Sequence, residues 1–209
     1  MIAVAAIAVL AMLAWAILFS TSSAPEPVYK GKPLSYWLEP YAYSIFQRKV
    51  STETIPSREE ADTALRQIGT NAIPTLLRML RAHDSPLKIK FLQLTYRAPY
   101  FPIHYKPASI INVQAMQAFH VLGPDASCAI PDLVKILDQN ISQSSYFHTA
   151  AILASFGPEA KMAVPSLLRA AMNTNQPMRF AAESALRQID LETYARVITN
   201  NIQAPMPYQ

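Results

Sequence analysis

From residue 57 onward the apolar positions recur in a fixed relation to a turn residue. Ala64-Leu65 and Ile68 precede Gly69, and Ala118-Phe119 and Leu122 precede Gly123. Ile152-Leu153 and Phe156 precede Gly157, and Ala185-Leu186 and Ile189 precede Asp190. Offsets of five, four and one residue before the turn put these side chains on one stripe of a helix. The residues after each glycine repeat as well. Ala72-Ile73-Pro74, Ala129-Ile130-Pro131 and Ala163-Val164-Pro165 lead into the apolar pairs Leu76-Leu77, Leu133-Val134 and Leu167-Leu168. Glycine ends a helix by taking a backbone conformation closed to other residues. Proline suits the first turn of the next helix, where its missing N–H has no intrahelical partner to lose. Each unit therefore predicts helix, tight turn, helix.

The units are not evenly spaced. Gly123 to Gly157 is 34 residues and Gly157 to Asp190 is 33, but Gly69 to Gly123 is 54. The surplus lies around residues 85 to 108. Ser85-Pro86 opens a predicted helix there. It is followed by a stretch too rich in proline and aromatic residues to be helical, Ala98-Pro99-Tyr100-Phe101-Pro102-Ile103-His104-Tyr105-Lys106-Pro107. The turn from Gly69 to Pro74 is three residues shorter than the other two, and the last unit lacks both Gly and Pro, as suits a terminal cap. Ser57-Arg58-Glu59-Glu60 fits a capping box, so the first repeat helix should begin near residue 58.

The Ala-Leu-x-x-Ile-Gly pattern followed by Ala-Ile-Pro-x-Leu-Leu resembles the HEAT-repeat superfamily, in the short form also found in phycobilisome-lyase-like repeats. The resemblance covers about residues 57 to 202. It implies an all-α fold: a right-handed α-solenoid of stacked antiparallel helix pairs, three and a half to four units long. Such repeats serve mainly as surfaces, so it implies protein–protein interaction with an unidentified partner. Nucleic-acid binding, or a lyase-like activity argued by analogy of fold, are the alternatives. The core expected from the pattern includes Leu65, Ile68, Ile73, Leu76, Leu77, Leu80, Phe119, Leu122, Ile130, Leu133, Leu137, Leu153, Phe156, Val164, Leu167, Leu168, Leu186 and Ile189.

The N-terminal segment differs from the rest in charge. Residues 1–19, MIAVAAIAVLAMLAWAILF, carry none. As a helix they would span about 28 Å, close to the hydrocarbon thickness of a bilayer. No Lys or Arg precedes the run, and the possible cleavage site Ser22-Ser23-Ala24 runs into Pro25. We read residues 1–20 as an uncleaved membrane anchor forming an N-terminal hydrophobic helix, with a cleaved signal and a buried helix as the other readings. Residues 21–29 read as a linker, residues 30–56 as an N-terminal helical extension with Tyr36, Trp37 and Leu38 packing on the first repeat, and residues 203–209 as a C-terminal tail. Localisation follows: one N-terminal pass, with the repeat domain on the extracytoplasmic side. The positive-inside rule taken literally would keep it cytoplasmic.

Charge and composition narrow the chemistry. A net charge of +4 is mildly basic and lacks the dense stripe of a dedicated nucleic-acid binder. Arg78, Arg81, Lys88, Lys90, Arg97 and Lys106 are interrupted by Asp84 and apolar residues and read as a solvated face. The single cysteine, Cys128, allows no internal disulfide and reads as a small hydrophobe. His83, His104, His120 and His148 form no metal-binding spacing, and His120 and His148 are expected on solvent-facing helix positions. Glu59, Glu60 and Asp62 sit where a helix N-terminus favours acids. With four glycines there is no phosphate-cradling loop. The sequence therefore assigns no catalytic residue, cofactor or metal, and gives no reason to expect a small-molecule substrate. The insert is the segment the fold does not require. Tyr96, Arg97, Tyr100, Phe101, His104, Tyr105 and Lys106 combine rings and cations as partner-binding hot spots do, and a loop burying its own rings is the plainer reading.

Overall fold

A computed structural model describes residues 25–43, 55–95, 105–172 and 175–196. Residues 1–24, 44–54, 96–104, 173–174 and 197–209, and with them the expected N-terminal hydrophobic helix and C-terminal tail, lie outside them. Among the described residues no helix is long and apolar enough to cross a membrane.

Among the described residues the fold is all-α but for one hairpin of two-residue strands. Val28 pairs with Pro33 and Tyr29 with Lys32 across a Lys30-Gly31 turn, where both residues have positive φ. Two-residue hairpins favour that conformation because it matches the twist of the strands. The hairpin leads directly into α1 (Leu34–Tyr43), and the Leu34 N–H donates to the Pro27 carbonyl. Then follow α2 (Arg58–Ile68), α3 (Ile73–Leu80), α4 (Pro86–Thr95), α5 (Ala108–Leu122), α6 (Ile130–Gln139), α7 (Gln143–Ser155), α8 (Val164–Ala171) and α9 (Gln176–Ile189). Residues 191–196 form a last helical turn and a half.

α2 starts at residue 58 for the reason its sequence predicts. Ser57 Oγ accepts from the Glu60 N–H, and Glu60 Oε2 accepts from the Ser57 N–H at 2.7 Å. The Ser57 N–H, helped by the Ser57 side chain, holds the Glu60 carboxyl below its ordinary pKa. Two helices end on the repeated glycine, at Gly69 and Gly123, and α7 ends on Phe156, just before Gly157. Gly69, Gly123 and Gly157 have φ of 58°, 56° and 56°, and ψ is −140° at the first two. A side chain would be strained there whatever the space around it. Each glycine opens a short 3-10 segment, Gly69–Ala72, Gly123–Ala129 and Gly157–Ala163. Each segment delivers the chain to a helix with proline in its first turn. The fourth turn is built differently. Asp190 is extended, and its carboxylate accepts from the Thr193 N–H at 3.1 Å and the Thr193 hydroxyl at 2.9 Å. An aspartate cap thus replaces the glycine and its 3-10 bridge.

Two compact units are distinguished. Of the described residues, 25–26 and 84–95 belong to one, and 27–43, 55–83, 105–172 and 175–196 to the other. In the first unit, Ser85 Oγ caps α4 through the Lys88 N–H, and Lys88 pairs with Asp84 at 3.6 Å. In the second unit, α2, α5, α7 and α9 touch in series, and so do α3, α6 and α8. The two series meet where α3 packs on α5, α6 on α7 and α8 on α9. The core lies between them. Leu65, Phe119, Leu153 and Leu186 share one repeat position and are all buried, each contributing about 1.5–3 kcal/mol. Phe156, Val164 and Leu168, expected in the core, are only partly covered and pack against it.

α1 closes the end of this unit against α2 and α5. Trp37 and Leu38 are buried, Tyr36 is half-buried, and the Trp37 indole N–H donates to the Tyr29 carbonyl at 3.3 Å. The Tyr41 hydroxyl donates to Asp62 Oδ1 at 2.5 Å, and burial with the adjacent carboxylate pushes its pKa far up. Gln114 of α5 donates to the Leu38 carbonyl at 2.8 Å. A second α5 side chain, Asn112, reaches the end of α3. Its amide donates to the carbonyls of Met79 (2.8 Å), Leu80 (3.2 Å) and Ala82 (3.3 Å). The first two are carbonyls a helix C-terminus leaves without intrahelical partners, and Ala82 follows just beyond the helix.

Candidate functional site

The surface of the α5–α7–α9 series carries a trench of about 370 Å³. Its origin is compositional. Ala150, Ala151 and Ala154 of α7 face Ala181 and Ala185 of α9, so the groove between the two helices is left unfilled. Phe147 and Phe180 stand as its walls. Phe147 is half-buried, whereas Phe180 is 72% exposed. A phenylalanine this open on a folded surface, beside an apolar trench, marks a contact site. Ser155, Ser184 and Gln188 supply hydroxyl and amide groups, and His120 enters from the end of α5.

No lysine, arginine, aspartate or glutamate lines the trench. His120 keeps much of its ring open to solvent, but the walls desolvate it enough to hold its pKa below the ordinary value. A hydrogen bond to the Ala151 carbonyl opposes that shift. His148, on α7, is half-buried, with Nδ1 2.6 Å from the Ser144 carbonyl oxygen, and burial lowers its pKa too. Both rings are thereby held toward their neutral form. The trench can therefore accept apolar and neutral hydrogen-bonding groups, and it offers no charge to hold an ionic one.

The rim is charged. Arg179 and Glu183 of α9 approach to 3.8 Å, and Arg187 lies one turn beyond Glu183. Among the described residues no carboxylate lies within 4.0 Å of Arg187.

Of the insert residues expected to bind a partner, Tyr96, Arg97, Tyr100, Phe101 and His104 lie outside the described residues. Tyr105 is half-buried. Lys106 pairs with Glu39 at 2.5 Å and so braces α1 against the segment entering α5. Both partners are more than a third exposed, which limits that pair to about 0–1 kcal/mol. The basic residues of α3 are engaged locally: Arg78 donates to Thr75 Oγ1 at 3.5 Å and Arg81 to the Leu77 carbonyl at 3.3 Å. Cys128 is exposed, contrary to its expected place among the small hydrophobes. The 3-10 segment turns Ala126 and Ala129 inward and leaves Cys128 outside. Among the described residues, no three His, Cys, Asp or Glu side chains converge as metal ligands would.

Phe147 and Phe180 were not singled out by sequence, yet a signal existed. Each stands ten residues before its turn residue, Gly157 or Asp190, a position occupied by Glu59 and Val113 in the two earlier units. The position thus tolerates a solvated carboxylate and a small aliphatic side chain, and needs no ring. An aromatic residue there in two successive units marks a departure from mere packing.

No family model matches the chain, and neither does any curated protein or solved structure.

Proposed function

We propose that this chain is a HEAT-type α-solenoid, tethered to a membrane through residues 1–19, that works as a scaffold for protein–protein interaction. The repeated glycine–3-10–proline turn and the two serial layers of helices support the solenoid reading. The uncharged trench walled by Phe147 and Phe180 carries the functional reading. A concave apolar site with an exposed ring at its edge suits the anchor side chain of a protein partner, which contributes most of its binding energy through such contacts.

Proximity labelling from the full chain tests this, run beside Ala151→Glu, which puts a carboxylate on the trench floor. The expected result is a defined set of other proteins labelled by the wild type and lost in Ala151→Glu, with thermal stability retained. Equal labelling by both proteins would remove the trench from the binding surface, and labelling at background by the wild type would refute the scaffold reading.

A further inference from the structure

Taking the trench as a binding surface, as the proposed function does, we propose that it has an occupant in cis: residues 202–208 of this chain, laid against Phe180. The segment competes there with the anchor side chain of a protein partner.

Phe147 and Phe180 hold one repeat position but differ in exposure. Phe147 is half-buried, and α9, the next helix of its series, packs on α7. Phe180 is 72% exposed, and among the described residues only 191–196 follow the turn at Asp190. A ring at this position is covered by what comes next in the chain, and after Arg196 that is residues 197–209.

The segment and the trench match in chemistry. Residues 197–209 contain no Lys, Arg, Asp or Glu, and neither does the trench lining, so bringing them together desolvates no ionic side chain. Pro205 and Pro207 have no N–H, so the segment strands fewer backbone donors above the alanine floor. Proline-rich segments dock in grooves lined by aromatic rings. Phe147, Phe180 and the His120 imidazole supply rings here, and Ser155, Ser184 and Gln188 can donate to the carbonyls the segment presents.

The segment is also long enough. Asp190 lies two residues past Gln188 of the trench wall, at most about 7 Å away. The helical residues 191–196 carry the chain about 10 Å further. Phe180 precedes Gln188 by eight residues of α9, about 12 Å. Arg196 is therefore within about 29 Å of Phe180. The nine residues from 197 to 205 can span about 30 Å when extended.

The test uses the full chain in its membrane. With Cys128→Ser as background, the pair Ser184→Cys and Met206→Cys is oxidised with copper phenanthroline, and the linked tryptic peptides are identified by mass spectrometry. We expect a disulfide joining positions 184 and 206 within one chain, running at monomer mass on a non-reducing gel. The pair Lys135→Cys and Met206→Cys, with position 135 on α6 and outside the trench, should link far more slowly. Phe180→Glu should cut the rate of 184–206 linking about tenfold, the loss of one buried ring, with the circular dichroism spectrum unchanged. Pro205→Asp, which puts a charge on the segment, should slow it as well. Equal linking at positions 135 and 184, a rate unchanged by Phe180→Glu, a 184–206 link that joins two chains, or no link at all would overturn the proposal. Partner labelling that persists without the intrachain link overturns this inference and leaves the scaffold reading intact. The intrachain link with partner labelling at background supports this inference and refutes the broader one.

Discussion

Replacing Asn112 with alanine should cost about 2–3 kcal/mol, because one buried amide serves the whole end of a helix. Asn112 is fully buried, and its Nδ2 donates to the carbonyls of Met79, Leu80 and Ala82. The Met79 carbonyl keeps a second donor, the Ala82 N–H at 3.1 Å, so the loss falls mainly on the buried Leu80 bond and less on the half-buried Ala82. Each buried acceptor stranded in this way costs about 1–3 kcal/mol, toward the low end for a carbonyl with two lone pairs. The truncation leaves a small cavity, which adds to the loss. It also removes Oδ1, a buried oxygen with no partner, which returns part of it. At about 2–4 °C per kcal/mol for a domain of this size, the melting temperature should fall by about 5–10 °C. Urea unfolding of the full chain in mild detergent, followed at 222 nm, measures the change. Asn112→Asp sharpens the test: it keeps the shape but turns oxygen toward three carbonyl oxygens, and should be worse than alanine. A loss under about 0.5 kcal/mol for alanine, or an aspartate variant as stable as wild type, would refute the clamp.

Thr149→Val should be neutral or stabilising by up to about 1 kcal/mol, since the buried Thr149 hydroxyl has no partner, and a clear loss in the same assay would show that it is satisfied after all. Gly123→Ala should cost about 1–2 kcal/mol. The position has open space but positive φ, so the cost is backbone strain, and a neutral result would mean that the turn relaxes. His120 and His148 have folded pKa values below the ordinary 6.5, so the unfolded chain binds protons first as pH falls. Stability should therefore be complete above pH 6.5 and decline below it, until the folded-state values are passed. The slope in that window should shrink in a His120→Asn/His148→Asn variant, and an unchanged slope would assign it to other groups.

The turns, the caps and the core columns were legible in the sequence because they are short-range physics. Ser57 and Glu60 are three residues apart, and each repeated glycine acts on its own turn through a backbone conformation closed to other residues. Leu65, Phe119, Leu153 and Leu186 had to be buried once helices formed, because helical geometry places them on one stripe whatever lies opposite. The clamp, the braces and the trench obey another rule. Asn112 meets carbonyls 30 to 33 residues away, and Lys106 meets a carboxylate 67 residues away. Nothing local distinguishes these side chains from solvated ones. The alanines of α7 and α9 likewise read as ordinary helix formers until the two helices lie side by side, when small residues on both leave the space that Phe147 and Phe180 frame. The sequence by itself thus determined the start of α2, the glycine turns and the apolar stripe of the repeat helices. Tertiary structure alone decided which faces meet and what space they leave between them, because that depends on contacts between residues far apart in the chain.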